Sequence, residues 1–225
     1  MCAIIGYSPP EIPGGPTECD LDLPPLTRAF ERLMRESAVR GTFCYGIATP
    51  HEWTHTRDLA DVLDLFNPQM PTIAHCRYPT SGIDSQPIVI SHGMHPHEHR
   101  IALAFNGVID MGTKEEFEAR WGVKCETDND GEIFVQRLLA GESVEDFLCA
   151  ENFSGSFAGV WLDTGFRANS DGTRDVGSTT LIAARNERRP LWWSNHLGAQ
   201  WYASTRDIFL RAGFPEDSLQ EFPVV

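Results

Sequence analysis

The second residue of this chain is a cysteine, and the apolar run Ala3-Ile4-Ile5-Gly6-Tyr7 begins directly behind it. Such a run makes a buried strand, whereas the first residues of a domain are poorly ordered unless something ties them down. Removal of the initiator methionine is expected when the next side chain is small, as cysteine is. It leaves a thiol and a free α-amine on Cys2, so one residue carries a nucleophile and a base, as an N-terminal threonine does.

The other strand candidates are 44–49, 72–76, 88–91, 101–105, 157–163, 179–185, 190–194 and 200–203, with the first at 2–7. Leu26, Phe30, Leu33, Met34 and Ala38 keep helical spacing and stop at Gly41, which suits a C-terminal cap. Asp58 caps a helix through Leu59, Val62, Leu63 and Phe66, ended by Asn67-Pro68. Thr113-x-x-Glu116 is a capping-box pattern opening a helix to about Trp121. Ile133, Phe134, Leu138 and Leu139 mark another, ending at Gly141. Residues 8–25, with six prolines, read as an irregular excursion, and Phe166–Ser178 as a surface hairpin loop. Strands and helices do not alternate regularly enough for a βαβ sheet. Two antiparallel sheets packed together with helices outside, an α+β layered arrangement, fit better.

With 225 residues, 41% of them hydrophobic, and neither repeat nor linker, a single domain over 1–225 with a sizeable core is expected. The apolar runs reach five or six residues, far below the roughly 20 of a membrane-spanning helix. No leader pattern precedes Cys2, so the expected location is cytoplasmic. A formal charge of −14, with Lys114 and Lys124 the only lysines, argues against nucleic acid or an anionic membrane as partner. Six scattered cysteines without a C-x-x-C pair indicate free thiols, not disulfides or zinc.

Four places carry chemistry. Cys2 is the first. In "HCRYPTSG" (75–82), Arg77 lies just past a strand end; it is an ordinary surface arginine or a bidentate clamp for a carboxylate. Asn106-Gly107, between two apolar runs, reads as a type I′ turn. The same pair offers a side-chain amide and a backbone N–H to one oxygen, an oxyanion site. Asp128, ahead of the helix near 132–140, is a capping carboxylate or a partner for an ammonium group. The histidines at 92, 95, 97 and 99 read as a solvated loop, so no metal and no cofactor are expected. Trp192, Trp193 and Trp201 read as core or its rim.

Taken in order, these stretches resemble the class II (N-terminal nucleophile) glutamine amidotransferases over nearly the whole chain. "MCAIIGY" is similar to that family's Met-Cys-Gly-Ile-(Val/Ile)-Gly start, and "RGTFCYGIAT" to its Arg-Gly-x-(Asp)-x-x-Gly stretch. "HCRYPTSG" resembles its His-x-Arg-(Trp/Tyr)-x-Thr-x-Gly motif, "IALAFNGVI" its strand ending His-Asn-Gly, and "ETDNDGEIF" its Glu-Thr-Asp-(Thr/Ser)-Glu segment. "NFSGSFAGVWLD", "RNERRPLWW" and "YASTRD" are similar to its Gly-Ala-(Tyr/Phe)-Ala, Arg-x-x-x-x-Pro-Leu and Ala-Ser-(Glu/Asp) pieces.

The resemblance implies a four-layer αββα sandwich and hydrolysis of L-glutamine to glutamate and ammonia through a Cys2 thioester. It implies Asn106 and Gly107 as the oxyanion site. Arg77 would hold the α-carboxylate and Asp128 the α-ammonium, with Tyr78, Thr80 and Ser81 around the substrate. The ammonia is expected to pass to a separate synthase or ligase. The alternatives are an amidase or γ-glutamyl hydrolase acting on another small amide, and a non-catalytic glutamine-sensing subunit. Three residues depart from the pattern: Ala3 for glycine, Phe43-Cys44 for Asp-Ser, and Phe105 for the histidine before Asn-Gly.

Overall fold

The computed structural model describes residues 2–10, 23–78, 85–92, 97–151, 153–168 and 174–225. The chain runs through β1 (Ala3–Ser8), α1 (Leu23–Ala38), β2 (Cys44–Ala48), β3 (Trp53–Thr56), α2 (Leu59–Asp64) and β4 (Thr72–Arg77). It continues with β5 (Ile88–His92), β6 (His97–Val108), α3 (Lys114–Trp121), α4 (Gly131–Leu139) and α5 (Val144–Leu148). Then come β7 (Ser156–Ala168), β8 (Arg174–Arg185), β9 (Trp192–His196), β10 (Ala199–Ala203), α6 (Arg206–Arg211) and β11 (Leu219–Glu221).

Two antiparallel sheets form. One has the order β11-β9-β10-β1-β4-β2-β3 and the other β5-β6-β7-β8. Strand alternation divides the side chains among three cores. Ala3, Ile5 and Tyr7 pack outward against Leu26, Phe30 and Leu33 of α1, with Val62 of α2 and Phe209 of α6. Ile101, Leu103 and Phe105 pack outward against Phe117 of α3, Phe134 of α4 and Phe147 of α5. Between the sheets lie Ile4 and Ile73 from one, and Ala102, Ala104, Ala158 and Val160 from the other. Small residues on one side let the sheets approach closely. The result is four layers, helix–sheet–sheet–helix, with β1 in the middle of its sheet between β10 and β4. The tie for the chain's first residues is pairing on both edges.

Locally coded features form as expected. Thr113 Oγ1 accepts from the Glu116 N–H at 3.4 Å and Glu116 Oε2 accepts from the Thr113 N–H at 2.8 Å, the two halves of a capping box. Asp58 Oδ1 accepts from the Ala60 N–H at 2.9 Å, and Gly141 takes a left-handed φ of 90° just beyond α4. Trp201 is fully buried, with Trp192 and Trp193 at the rim.

Other expectations are corrected. The first helix begins at Leu23, because Pro24 and Pro25 fall in its first turn, where no backbone N–H is needed. Gly41 is not a left-handed cap: a Cβ there would lie 2.5 Å from the Cys76 carbonyl oxygen, so close approach to β4 requires glycine. Within 166–178 the described residues 166–168 and 174–178 are strand, with β7 and β8 paired through Phe166↔Val176 and Ala168↔Arg174. His92 and His99 likewise belong to paired strands, and His99 Nε2 meets Asp163 Oδ1 at 3.2 Å. His95 lies outside the described residues, as does Cys19. Strands β3 and β11 and helices α5 and α6 carry no clear periodic signal in the sequence.

Candidate active site

The register of β1 on β4 runs Ala3↔Cys76, Ile4↔His75 and Ile5↔Ala74. One step further, Cys2 stands opposite Arg77. Alternation puts Cys2 on the inner face with Ile4, alongside His75 and Arg77. On the facing sheet Ala102 and Ala104 point inward, so Asn106 does too. Cys2, Arg77, Asn106 and Gly107 thereby line one cavity of about 150 Å³ at the end of the sandwich. Arg77 and Asn106 are buried, while Cys2 keeps partial access to solvent. The Cys2 thiol donates to the Tyr78 carbonyl oxygen at 3.3 Å.

Asn106-Gly107 is not a turn. Both residues belong to β6, opposite Ala158 and Phe157 of β7. The Phe157 N–H donates to Asn186 Oδ1 and its carbonyl accepts from the Asn186 N–H, so Phe157 spends its backbone groups on the side away from β6. In an antiparallel ladder the residue opposite such a position also points outward. Gly107 therefore presents its N–H on the far edge of β6. On that edge the Phe105 N–H donates to Gln86 Oε1 at 2.8 Å and the Ile109 N–H to Asp130 Oδ2 at 2.6 Å. The Gly107 N–H lies between two occupied neighbours and faces the cavity. Phe105, the departure before Asn-Gly, turns its ring into the helix-side core against Phe157 at 5.3 Å and also lines the cavity.

The remaining expected residues fall as follows. Tyr78 is exposed and contributes its carbonyl. Thr80 and Ser81 lie outside the described residues. Asp128 is exposed and is not on the cavity wall; the N-cap of α4 is Asp130, and Asn129 Oδ1 accepts from the Gly131 N–H at 3.0 Å. Cavity residues that the spacing did not single out are Gln86, Val108, Asn129, Asp130 and Arg189. Arg189 stood in view beside Pro190-Leu191, and Asn129-Asp130 followed Asp128, but nothing in sequence marks Gln86. Burial raises the Asp130 carboxyl above its ordinary value, opposed by the N–H groups of Asp110 and Ile109. Phe43 lies under the Arg57 guanidinium at 5.5 Å, and Cys44 Sγ is 3.1 Å from Ser85 Oγ.

His75 joins the sheets at the site. Its Nε2 donates to the Phe105 carbonyl at 3.0 Å, which fixes β4 against β6. Burial, with the Arg77 charge adding to it, pushes the imidazole down to about 3. Below the ordinary value of 6.5, the unfolded chain takes up a proton that the folded chain refuses. Stability is therefore lost as pH falls from about 6.5 towards 3, by about 1.4 kcal/mol per pH unit for one proton. His75→Gln removes this contribution, so the stability advantage of wild type over H75Q should shrink as pH drops from 7 to 4. A pH-independent difference between their urea midpoints would reject the account.

No family model matches the chain, and no curated protein sequence matches it. Solved structures do. Glutamine phosphoribosylpyrophosphate amidotransferase from B. subtilis, complexed with ADP and GMP, superposes with a TM-score of 0.60 at 14% identity, over 99% of this chain and 49% of that one. A structure described as the allosteric regulatory enzyme of purine biosynthesis superposes with a TM-score of 0.57 at 16% identity, over 98% of this chain and 48% of that one. The chain thus spans about half the length of each. At these identities the likeness is one of fold: a mixed α+β sandwich of two antiparallel sheets and flanking helices, similar to glutamine amidotransferase structures.

Proposed function

We propose that the protein is a glutamine amidohydrolase that releases ammonia from L-glutamine through a thioester on Cys2 and donates it to a separate synthase or ligase. The observation that carries this reading is the convergence of Cys2, Arg77, Asn106 and the outward Gly107 N–H on one small cavity. A cavity of about 150 Å³ is of the right order for a single amino acid.

Cys2 Sγ attacks the side-chain carboxamide carbon, and the carbonyl oxygen gains negative charge as the tetrahedral intermediate forms. The Asn106 amide and the Gly107 N–H are placed to donate to it; such donors act where charge develops, at no reorganisation cost. The α-amine freed by loss of Met1 accepts the thiol proton and returns it to the departing nitrogen. The C–N bond breaks, ammonia leaves, and water then hydrolyses the thioester to glutamate and the thiol. Arg77 receives the α-carboxylate as a fixed guanidinium fork. The resemblance, not the cavity lining, assigns Asp128 to the α-ammonium and Tyr78, Thr80 and Ser81 to substrate binding; Asp128 precedes the cavity-lining Asn129 in the chain.

Intact-mass analysis with a diazo-ketone analogue of glutamine tests the proposal. The expected result is loss of Met1 and a single adduct on Cys2, blocked by glutamine. A retained Met1, or an adduct elsewhere, would overturn it.

A further inference from the structure

Asn129 is 1% exposed and sits on the cavity wall. Nearly all of its polar groups are accounted for. Its backbone N–H donates to Thr127 Oγ1 at 3.2 Å, and its carbonyl accepts from the Glu132 N–H at 2.9 Å. Its Oδ1 accepts from the Gly131 N–H at 3.0 Å, which fixes the orientation of the amide and leaves Nδ2 as the free end. Among the described residues Nδ2 has no hydrogen-bond partner. An unmade hydrogen bond of this kind costs about 1–3 kcal/mol, so a buried orphan donor calls for an explanation.

The surroundings hold this amide in place. The fully buried Glu132 carboxylate accepts from the backbone N–H groups of Glu126 and Thr127 at 2.7 Å and from Thr127 Oγ1 at 2.8 Å. The segment leading into α4 is therefore tied to the helix it precedes. Asn129 is also near the β6 edge. Its neighbour Asp130 holds the Ile109 N–H, and a Cβ built on Gly131 would lie 2.7 Å from Phe105 Cδ1 and 3.2 Å from Asn129 Oδ1. The Gly107 N–H emerges on that edge, between Phe105 and Ile109.

We infer that Asn129 is a substrate-contacting residue whose Nδ2 donates to an oxygen of the bound amino acid, its carboxamide or its α-carboxylate. The inference rests on the glutaminase reading and adds a donor that neither the resemblance nor the spacing assigned. Its removal should therefore affect turnover in a way that its capping role does not.

The test compares Asn129→Asp and Asn129→Ala with wild type, using L-glutamine as probe. Asn129→Asp keeps the side-chain shape and the acceptor for Gly131, but it sets a buried carboxylate beside the buried Asp130 and Glu132. Its melting temperature should fall below that of wild type, and its kcat/KM should fall at least a hundredfold in the fraction that remains folded at assay temperature. Asn129→Ala should lower both. A fall carried by kcat assigns the donor to the carboxamide oxygen, and one carried by KM assigns it to the α-carboxylate. Asn129→Asp turning over within threefold of an active wild type would overturn the inference and leave the glutaminase reading standing. A wild type that neither hydrolyses glutamine nor labels at Cys2 would overturn both.

Discussion

Cys2→Ala should yield a folded protein that releases no measurable ammonia from glutamine. The thiol makes one weak hydrogen bond, to the Tyr78 carbonyl, and is partly exposed, so its loss opens no sealed cavity. Alanine is also small enough for methionine removal, which keeps the α-amine in place. Stability should change by less than about 1 kcal/mol. Among the described residues no other thiol lines the cavity. Cys76 points outward from the same sheet and is fully buried, its thiol driven far up by burial. Cys44 lies beyond Arg77 on β2, on the far side of β4 from Cys2. Removal of a covalent nucleophile costs on the order of 10⁴-fold or more in kcat. Ammonia release and urea unfolding, measured on one preparation, separate the two effects. Release within tenfold of wild type would remove Cys2 from the mechanism.

What could be read from the residues follows from how local each signal is. The capping box at Thr113 and the cap at Asp58 depend on side chains within three residues of one another, and both form as written. The short apolar run Ile101–Phe105 identifies a strand for the same reason. Asn106-Gly107 shows the opposite case. Locally it spells a turn, but twelve residues of β6 pair with β7, and that pairing overrides a two-residue preference. His92, His97 and His99, and the described residues 166–168 and 174–178, polar and turn-prone, are drawn into strands in the same way.

The site divides along this line. Cys2, Arg77, Asn106 and Gly107 sit at strand ends whose runs are visible in sequence, and register brings them together. Gln86 and Asn129 owe their place to tertiary packing: one reaches the Phe105 N–H from the segment before β5, and the other is fixed by a loop tied to Glu132. Asp128 illustrates the one-residue precision that spacing lacks, since it is exposed while its two successors line the cavity.

Gly107→Ala should damage stability and turnover together. A Cβ at this position would lie 1.9 Å from the Ser156 carbonyl oxygen and 2.8 Å from both Ser156 C and Phe105 Cε2. Two of these atoms are backbone, so relief requires the ends of β6 and β7 to part. Val108, next in the strand, pairs with Ser156, so the displacement falls at the last rung of the ladder. The predicted cost is about 3 kcal/mol, within the range for overpacking. Any population that still folds must hold the Gly107 N–H and the Asn106 side chain off their positions. A displacement of about 1 Å is worth about 10²-fold, and loss of one oxyanion donor about 10²–10³-fold in kcat. Gly165→Ala is the matched control: it lies on β7, where the nearest atom to an added Cβ is Ser178 Oγ at 3.6 Å, an ordinary contact. It should unfold within about 1 kcal/mol of wild type and turn over normally. If Gly107→Ala behaves like this control in urea unfolding and in kcat, the close strand approach does not set the donor geometry, and the Gly107 N–H is not part of the oxyanion site.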